Sequence, residues 1–305
     1  MTETRGFRVT RLARIALNVI DLERSARFYR EALGFVERPA AKPIDAGHHV
    51  LPGGPFRSLF LTLGEQCLEL TQFERGSRPY PNASQANDLW FQHFAIVTHD
   101  IGAAYLRLSG FGASPITTEG PQTLPAASGG VVAYKFRDPD GHPLELLQFP
   151  SPAIVGSRDL ALNTGIDHTA FSIRDNDASI AFYHRVLGLA LVAAQENSGP
   201  TQDRLDGLPQ VAVQVTALAA AHKTPHIELL GYKTPRGRPR PSPALVNDVA
   251  ASRTVFCVDK LSHLRTSLST HRAHSQALTP ELASDSDRIA LVSDPDGHLL
   301  LFEQA

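Results

Sequence analysis

Chemistry in this chain falls to its histidines and carboxylates. The two cysteines, Cys67 and Cys257, are too few for a disulfide framework or a thiolate metal cluster. Imidazole nitrogens and carboxylate oxygens can hold a divalent ion or move protons. Several stand in short runs that alternate as strands do. His93 opens HFAIVTHD and His168 opens HTAFSIRD, while Glu69, Glu145 and Glu228 stand in CLELTQF, PLELLQF and HIELLGY. Taken singly these are weak signals, because a lone strand histidine is ordinarily a core or surface residue and LEL strings are common in strands. His226 precedes Glu228 by two positions, so the strand period puts both on one face. There it can serve as acid/base, extra ligand or polar wall. His142 and His298 follow DPDG strings and read as turn or rim residues. The run KTPRGRPRPSP carries Lys233, Arg236, Arg238 and Arg240; it can clamp an anionic group, but a solvated proline-rich linker is the preferred reading.

The elements that must position these residues come from an internal repeat. RIALNVIDLERSARFYREALGF (14–35) aligns with HTAFSIRDNDASIAFYHRVLGL (168–189) without a gap, at a constant offset of 154. Arg14 falls on His168, Asp21 on Asp175 and Gly34 on Gly188. HFAIVTHDIGAAYLRLSGFG (93–112) and RTVFCVDKLSHLRTSL (253–268) follow the same plan more weakly, and FRDPDGHPLELLQF (136–149) pairs with VSDPDGHLLLFEQA (292–305). The modules run over roughly 1–80, 85–150, 163–235 and 248–305. Within the first, RIALNV alternates as a strand and Asp21 is placed to cap a helix. Leu22, Ala26, Tyr29 and Leu33 share one helical face, and Gly34 is placed to end the helix in a left-handed cap. Strand-rich runs follow, so each module reads βαβββ. This gives an α+β chain with two expected domains, 1–150 and 163–305, joined by a linker over 151–162.

Bulk composition narrows the function classes. Hydrophobic residues make up 42% and charged residues 20%, ordinary for a globular protein. A net charge of −2 gives no general field for nucleic acid or an acidic membrane surface. No run of about 18 apolar residues suggests a membrane span. MTETRGFRVTRLAR lacks an apolar signal core, so a cytoplasmic address is expected.

The module starts ARIALNVIDLERSARFY and DHTAFSIRDNDASIAFY, with the module ends CLELTQF, DPDGHPLELLQF and HIELLGY, resemble the vicinal oxygen chelate superfamily. That family includes glyoxalase I, bleomycin-resistance proteins and extradiol dioxygenases. The resemblance covers almost the whole chain and implies that pairs of modules close into cupped mixed sheets with flanking helices. It further implies one ligand from each first strand, usually His, and one from each last strand, usually Glu. Carried over, the positions are Arg14 and Glu69, His93 and Glu145, His168 and Glu228, and finally Arg253 (or Ser252) and Leu301. Glu303 shares a strand face with Leu301.

Pairing modules one with two and three with four leaves neither site complete. Pairing two with three unites His93, Glu145, His168 and Glu228 as metal ligands and leaves Arg14, Glu69, Arg253 and Leu301 as a disabled mate. The second arrangement is expected, with Glu69 bridged to Arg14 or Arg253. By parity Cys67 and Cys257 project toward the disabled site, where small core thiols are the preferred reading.

Two imidazoles and two carboxylates suit one divalent ion of the Zn, Ni, Mn, Fe or Co kind. The resemblance implies a lyase or isomerase that binds vicinal oxygens of a small substrate and works through an enediolate or enolate. Glu228 is the expected general base, and His226 its candidate partner. An extradiol-type Fe(II) dioxygenase and a non-catalytic binding or resistance protein are the alternatives. Monomer and homodimer both remain open, since four modules in one chain need no second copy.

Overall fold

The computed structural model describes residues 6–38, 51, 53–75, 78–150, 161–241, 244–274 and 288–305. Most of the expected linker, 151–160, lies outside them.

The repeat is visible as four strand–helix–strand units. The first contains β1 (Val9–Asn18), α1 (Leu22–Glu31), β2 (Val36–Glu37), β3 (Phe56–Leu63) and β4 (Gln66–Phe73). The second contains β5 (Gln92–Thr98), α2 (Ile101–Leu108), β6 (Ser114–Pro115), β7 (Gln122–Thr123), β8 (Val132–Arg137) and β9 (Pro143–Gln148). The third contains β10 (Asn163–Ile173), α3 (Asn176–Ile180) running into a π-helical turn, β11 (Ala190–Ser198), α4 (Pro200–Asp206), β12 (Ala212–Ala219) and β13 (His226–Thr234). The fourth contains β14 (Arg253–Val258), α5 (Leu261–His274), β15 (Ile289–Ser293) and β16 (Leu299–Gln304).

Local chemistry sets the helix ends. Asp21, Asp100 and Asp175 each accept a backbone N–H three residues on, at 2.9–3.0 Å, removing one of the unpaired donors of a helix start. Gly34 and Gly188 follow α1 and the π-helical turn with φ of +79° and +82°, a conformation that costs a side-chain-bearing residue energy. Leu22, Ala26, Tyr29 and Leu33 are all buried, as their spacing predicts.

The modules pair crosswise. One sheet of seven strands joins modules one and four in the order β15-β16-β14-β1-β4-β3-β2. The other joins modules two and three as β11-β12-β13-β10-β5-β9-β8-β6, with β7 on β8. At each centre two first strands run antiparallel, β1 beside β14 and β10 beside β5, each flanked by its module's last strand in parallel.

The helices tie the sheets together in the other sense. Tyr29 on α1 donates its hydroxyl to Asp138 at 2.8 Å, and Tyr183 in module three donates to Asp294 at 2.9 Å. Both acceptors begin DPDG turns, where Asp138 and Asp294 Oδ1 also accept the backbone N–H of His142 and His298 at 2.8 Å. Module one thus docks on the turn of module two, and module three on that of module four. The main apolar core draws residues from all four modules. His142 and His298 are fully buried in these turns, so the rim reading is corrected: their backbone amides are committed to the aspartates and their rings face inward.

The basic run is also more ordered than a free linker. Arg238 makes a two-point ion pair with Asp88 and lies 5.2 Å over the Trp90 ring. Lys233 pairs with Glu196 at the surface. No helix among the described residues is long and apolar enough to cross a membrane.

Candidate metal centre

Strand register brings the chemistry-bearing residues into two adjacent rows on one face of the nine-stranded sheet. In one row His226 on β13 pairs with His168 on β10, His168 with Ala95 on β5, and Ala95 with Glu145 on β9. In the other, Glu228 pairs with Ala170 and Ala170 with His93. The two alanines are fully buried. Their small side chains leave space above the sheet into which the longer neighbours lean.

His93 Nε2 lies 3.2 Å from Glu145 Oε2, and His168 Nε2 lies 3.5 Å from the same oxygen. His168 Nε2 is also 3.6 Å from Glu228 Oε2. The ligand atoms of His93, Glu145 and His168 all fall within 4.8 Å of one another. Ligand bonds of about 2.1 Å place neighbouring donor atoms roughly 3.0–3.4 Å apart in octahedral or tetrahedral geometry. The 3.2 Å separation falls within that range, and the 3.5 and 3.6 Å separations lie just above it. His168 Nε2 is buried and has no hydrogen-bond partner, as expected of a lone pair directed at a cation. Glu228 stands slightly apart from the tight trio, and its Oε1 lies 3.6 Å from His226 Nε2.

Asp167 is the residue that sequence parity missed. Its Oδ2 accepts from His168 Nδ1 at 3.0 Å, which fixes the tautomer that presents Nε2 to the site. Adjacent strand residues normally face opposite ways. The register of β10 against β5 shifts between Ile166 and His168, however, and this irregularity lets both side chains serve the same cluster. The same shift recurs in β1 between Leu12 and Arg14, the repeat equivalents. Asp167, His168 and His226 form a second close group, with His226 Nδ1 3.9 Å from Asp167 Oδ2.

The electrostatics call for a cation. Burial alone would raise the Glu145 carboxyl, but the His168 and His93 imidazoles and the Lys135 charge hold it well below the usual range. Burial opposes charge on His168 too, yet Glu228, Asp167 and Glu145 together raise it well above an ordinary imidazole. His93 goes the other way, because burial outweighs its bond to Glu145 and keeps the ring neutral. His168 thus lies among carboxylates that favour its charged form. A divalent ion held there would answer the same carboxylates.

The cluster forms part of the wall of a cavity of about 370 Å³, whose apolar side includes Leu147, Val215 and Leu230. That size suits a small molecule.

Among the described residues, the equivalent positions of the seven-stranded sheet are taken up by ion pairs and apolar packing. Arg14 Nε bonds Glu69 at 2.7 Å, and its two terminal nitrogens bond Glu303 at 2.8 and 2.6 Å. Arg253, fully buried, donates to Asn18 at 2.6 Å and Thr71 at 3.0 Å. Leu301 packs in an apolar cluster with Val255 and Leu291. Cys67 is half-buried beside Arg14 and Cys257 is buried; burial raises both thiols.

A cupped mixed sheet built from paired βαβββ modules, with imidazoles and carboxylates gathered on its concave face, defines a class of protein. A profile described as the glyoxalase/bleomycin resistance protein/dioxygenase superfamily matches residues 11–146 and 165–302. The chain belongs to that superfamily. Solved structures of the same fold include glyoxalase I from Zea mays, at 17% identity over 98% of this chain and 92% of that one, with a TM-score of 0.62. A point mutant of the same Zea mays enzyme matches at 18% identity over 98% and 94% of the two chains, with a TM-score of 0.64. A candidate dioxygenase from Bacillus subtilis subsp. subtilis str. 168 matches at 13% identity over 97% and 86%, with a TM-score of 0.59. At these identities the likeness is one of fold. Among curated proteins, none matches the chain.

Proposed function

We propose that this protein is a divalent-metal-dependent lyase or isomerase of the glyoxalase type, with its reaction centre in modules two and three. The observation that carries the reading is that His93 Nε2 and His168 Nε2 lie 3.2 and 3.5 Å from one buried oxygen of Glu145, with Glu228 beside them. These four residues would hold an ion of the Zn, Ni, Mn, Fe or Co kind. When bound, such an ion supplies Lewis-acid stabilisation of negative charge on two neighbouring substrate oxygens.

The remaining work falls to side chains. Glu228 is more exposed than Glu145 and lies at 3.6 Å from both His168 and His226, so it is the carboxylate free to swing toward substrate. There it takes a proton from the carbon beside a carbonyl. His226, whose Nδ1 lies 3.9 Å from Asp167 Oδ2, steadies Glu228, which returns that proton to the neighbouring carbon. Asp167 keeps His168 in its ligating tautomer, and the apolar wall keeps bulk water from the reacting carbon.

One observation favours a second reading. The tight trio is two histidines and one carboxylate, the donor set that leaves three positions open on non-haem Fe(II). With His226 as acid/base, that set suits an extradiol-type dioxygenase.

Elemental analysis tests the site: about one transition metal per chain is expected, and none in His93→Ala/His168→Ala. Metal retained in that variant overturns the site. Reaction class is then separated by two assays. Isomerisation of a hemithioacetal by the Zn- or Ni-loaded protein supports the first reading. Oxygen uptake with catechol after anaerobic Fe(II) loading supports the second. A protein that binds small ligands without metal is a sequestering module instead.

A further inference from the structure

Beside the metal ligands, the cavity holds a second polar group whose bonding is incomplete. Lys135 on β8 pairs in register with Glu145 on β9, which extends the row of His226, His168, Ala95 and Glu145 by one strand. Cross-strand neighbours on one face stand about 5 Å apart at Cβ, so Lys135 looks into the same cavity, whose wall it forms in part. Its side chain is only 5% exposed and bonds Asp206 Oδ1 at 2.6 Å. Asp206 Oδ2 accepts from Gln202 Nε2 at 2.8 Å, so both oxygens of this carboxylate are engaged. An ammonium has three donors, and among the described residues only Asp206 takes one.

Tyr232, on β13 next to this pair, completes the picture. It is 7% exposed and forms part of the cavity wall, and its hydroxyl lies near the Asp206 carboxylate without a well-formed hydrogen bond. Burial and the nearby Asp206 charge hold that hydroxyl well above its ordinary range, so it is a donor rather than a phenolate. Buried donors left unpaired cost on the order of 1–3 kcal/mol each. A purely structural ion pair would close on itself, as Arg14 does with Glu69 and Glu303. The seven-stranded sheet, which lacks the imidazole cluster, has Leu291 paired with Leu301 where Lys135 pairs with Glu145.

We propose that Lys135, with Tyr232 beside it, is the specificity group of the site and receives a substrate carboxylate. The substrate is then a small acid whose two neighbouring oxygens reach the His93, Glu145 and His168 centre while its carboxylate lies on the Lys135 side. This rests on the metal-centre reading given above. Charge supports it: Glu145 and Glu228 face the same space, so an anion enters only against a compensating cation. Lys135 stands on the β8 side of that space, in register with Glu145, and Asp206 takes only one of its three donors.

The test compares two hydroxamate probes on Co(II)-loaded protein, read by the visible Co(II) spectrum. Acetohydroxamate offers two neighbouring oxygens alone; the monohydroxamate of succinic acid adds a carboxylate. The wild-type protein should bind the carboxylated probe about 10-fold or more tightly. Lys135→Met should bring the two affinities together without weakening acetohydroxamate, and Lys135→Arg should keep part of the preference. Because Lys135→Met strands Asp206 in the interior, Lys135→Met/Asp206→Leu is measured alongside and should behave in the same way. No preference in the wild type, or an unchanged preference in both methionine variants, overturns the proposal. If neither probe perturbs the Co(II) spectrum, the metal reading fails instead. The anion site is then decided by calorimetry with succinate: binding lost in Lys135→Met upholds it, and equal or absent binding in both proteins overturns it.

Discussion

The two concave faces of this molecule are built on one scaffold and solve one electrostatic problem differently. Register places Arg14 where His168 stands, Arg253 where His93 stands, Leu301 where Glu145 stands, and Glu69 where Glu228 stands. Val255 replaces Ala95 and fills space that the inner face leaves open. On the outer face guanidinium groups are the permanent cations among buried carboxylates. On the inner face imidazoles can be neutral, so the carboxylates need a proton or a metal. Burial pushes Arg253 down to about 10, countered in part by Glu69, but it stays charged at neutral pH. The difference teaches that carboxylates at these positions can be balanced by guanidinium charge supplied from within the chain.

The largest expected effect tests that substitution of charge. Arg14→Met leaves Glu69 and Glu303 facing each other without their cation. Removing one partner of a buried pair costs about 3–5 kcal/mol, to be read as a lower denaturation midpoint with unchanged metal content. A stability within about 1 kcal/mol of wild type would break the comparison.

A smaller effect is expected inside the inner face. Asp167→Asn keeps the fold but weakens the hold on the His168 ring. Loss of such a carboxylate partner typically lowers metal affinity 10–100-fold. A competition titration with a chromophoric chelator measures it, and unchanged affinity would separate Asp167 from the site.

The smallest effect concerns the two DPDG turns, one in each sheet. Burial opposes charge on His142, but the ion pair with Asp138 raises it above the ordinary 6.5 and lowers Asp138. The His142 contribution to stability is therefore full below about pH 6.5 and fades as pH rises through its raised value. That of Asp138 is present above about pH 3.9 and fades on acidification through its lowered value. In the other turn burial dominates: Asp294 is pushed up to about 6 and His298 down to about 4. There stability falls as pH rises from about 4 toward 6 for Asp294, and as pH falls from about 6.5 toward 4 for His298. Imidazole NMR shifts should find His142 more than half protonated at pH 6.5 and His298 neutral at pH 5. Matching titrations of the two rings would erase the distinction.

Much of this was legible in residue order because it is periodic. The 154-residue offset, the aspartate caps and the glycine ends are local signals, and each local choice agrees with the fold. The residue order left Glu69 to pair with Arg14 or Arg253, and the structure bonds it to Arg14. Asp167 was not legible, because a register shift breaks the parity rule on which the reading relied. Lys135 was passed over although its strand joins the Glu145 strand through the DPDG hairpin; what residue order could not show is that its partner Asp206 comes from another module.

The sequence alone determined the modules, their α+β class and which positions carry imidazole, carboxylate or guanidinium, since those depend on spacing along a strand or helix. Tertiary structure decided that modules pair first with fourth and second with third, that three ligand atoms lie within 4.8 Å, and that a lysine overlooks them. The physical reason is that a site is made by neighbouring strands whose order a chain of repeats leaves open. Only the packing of all four modules around one core selects that order.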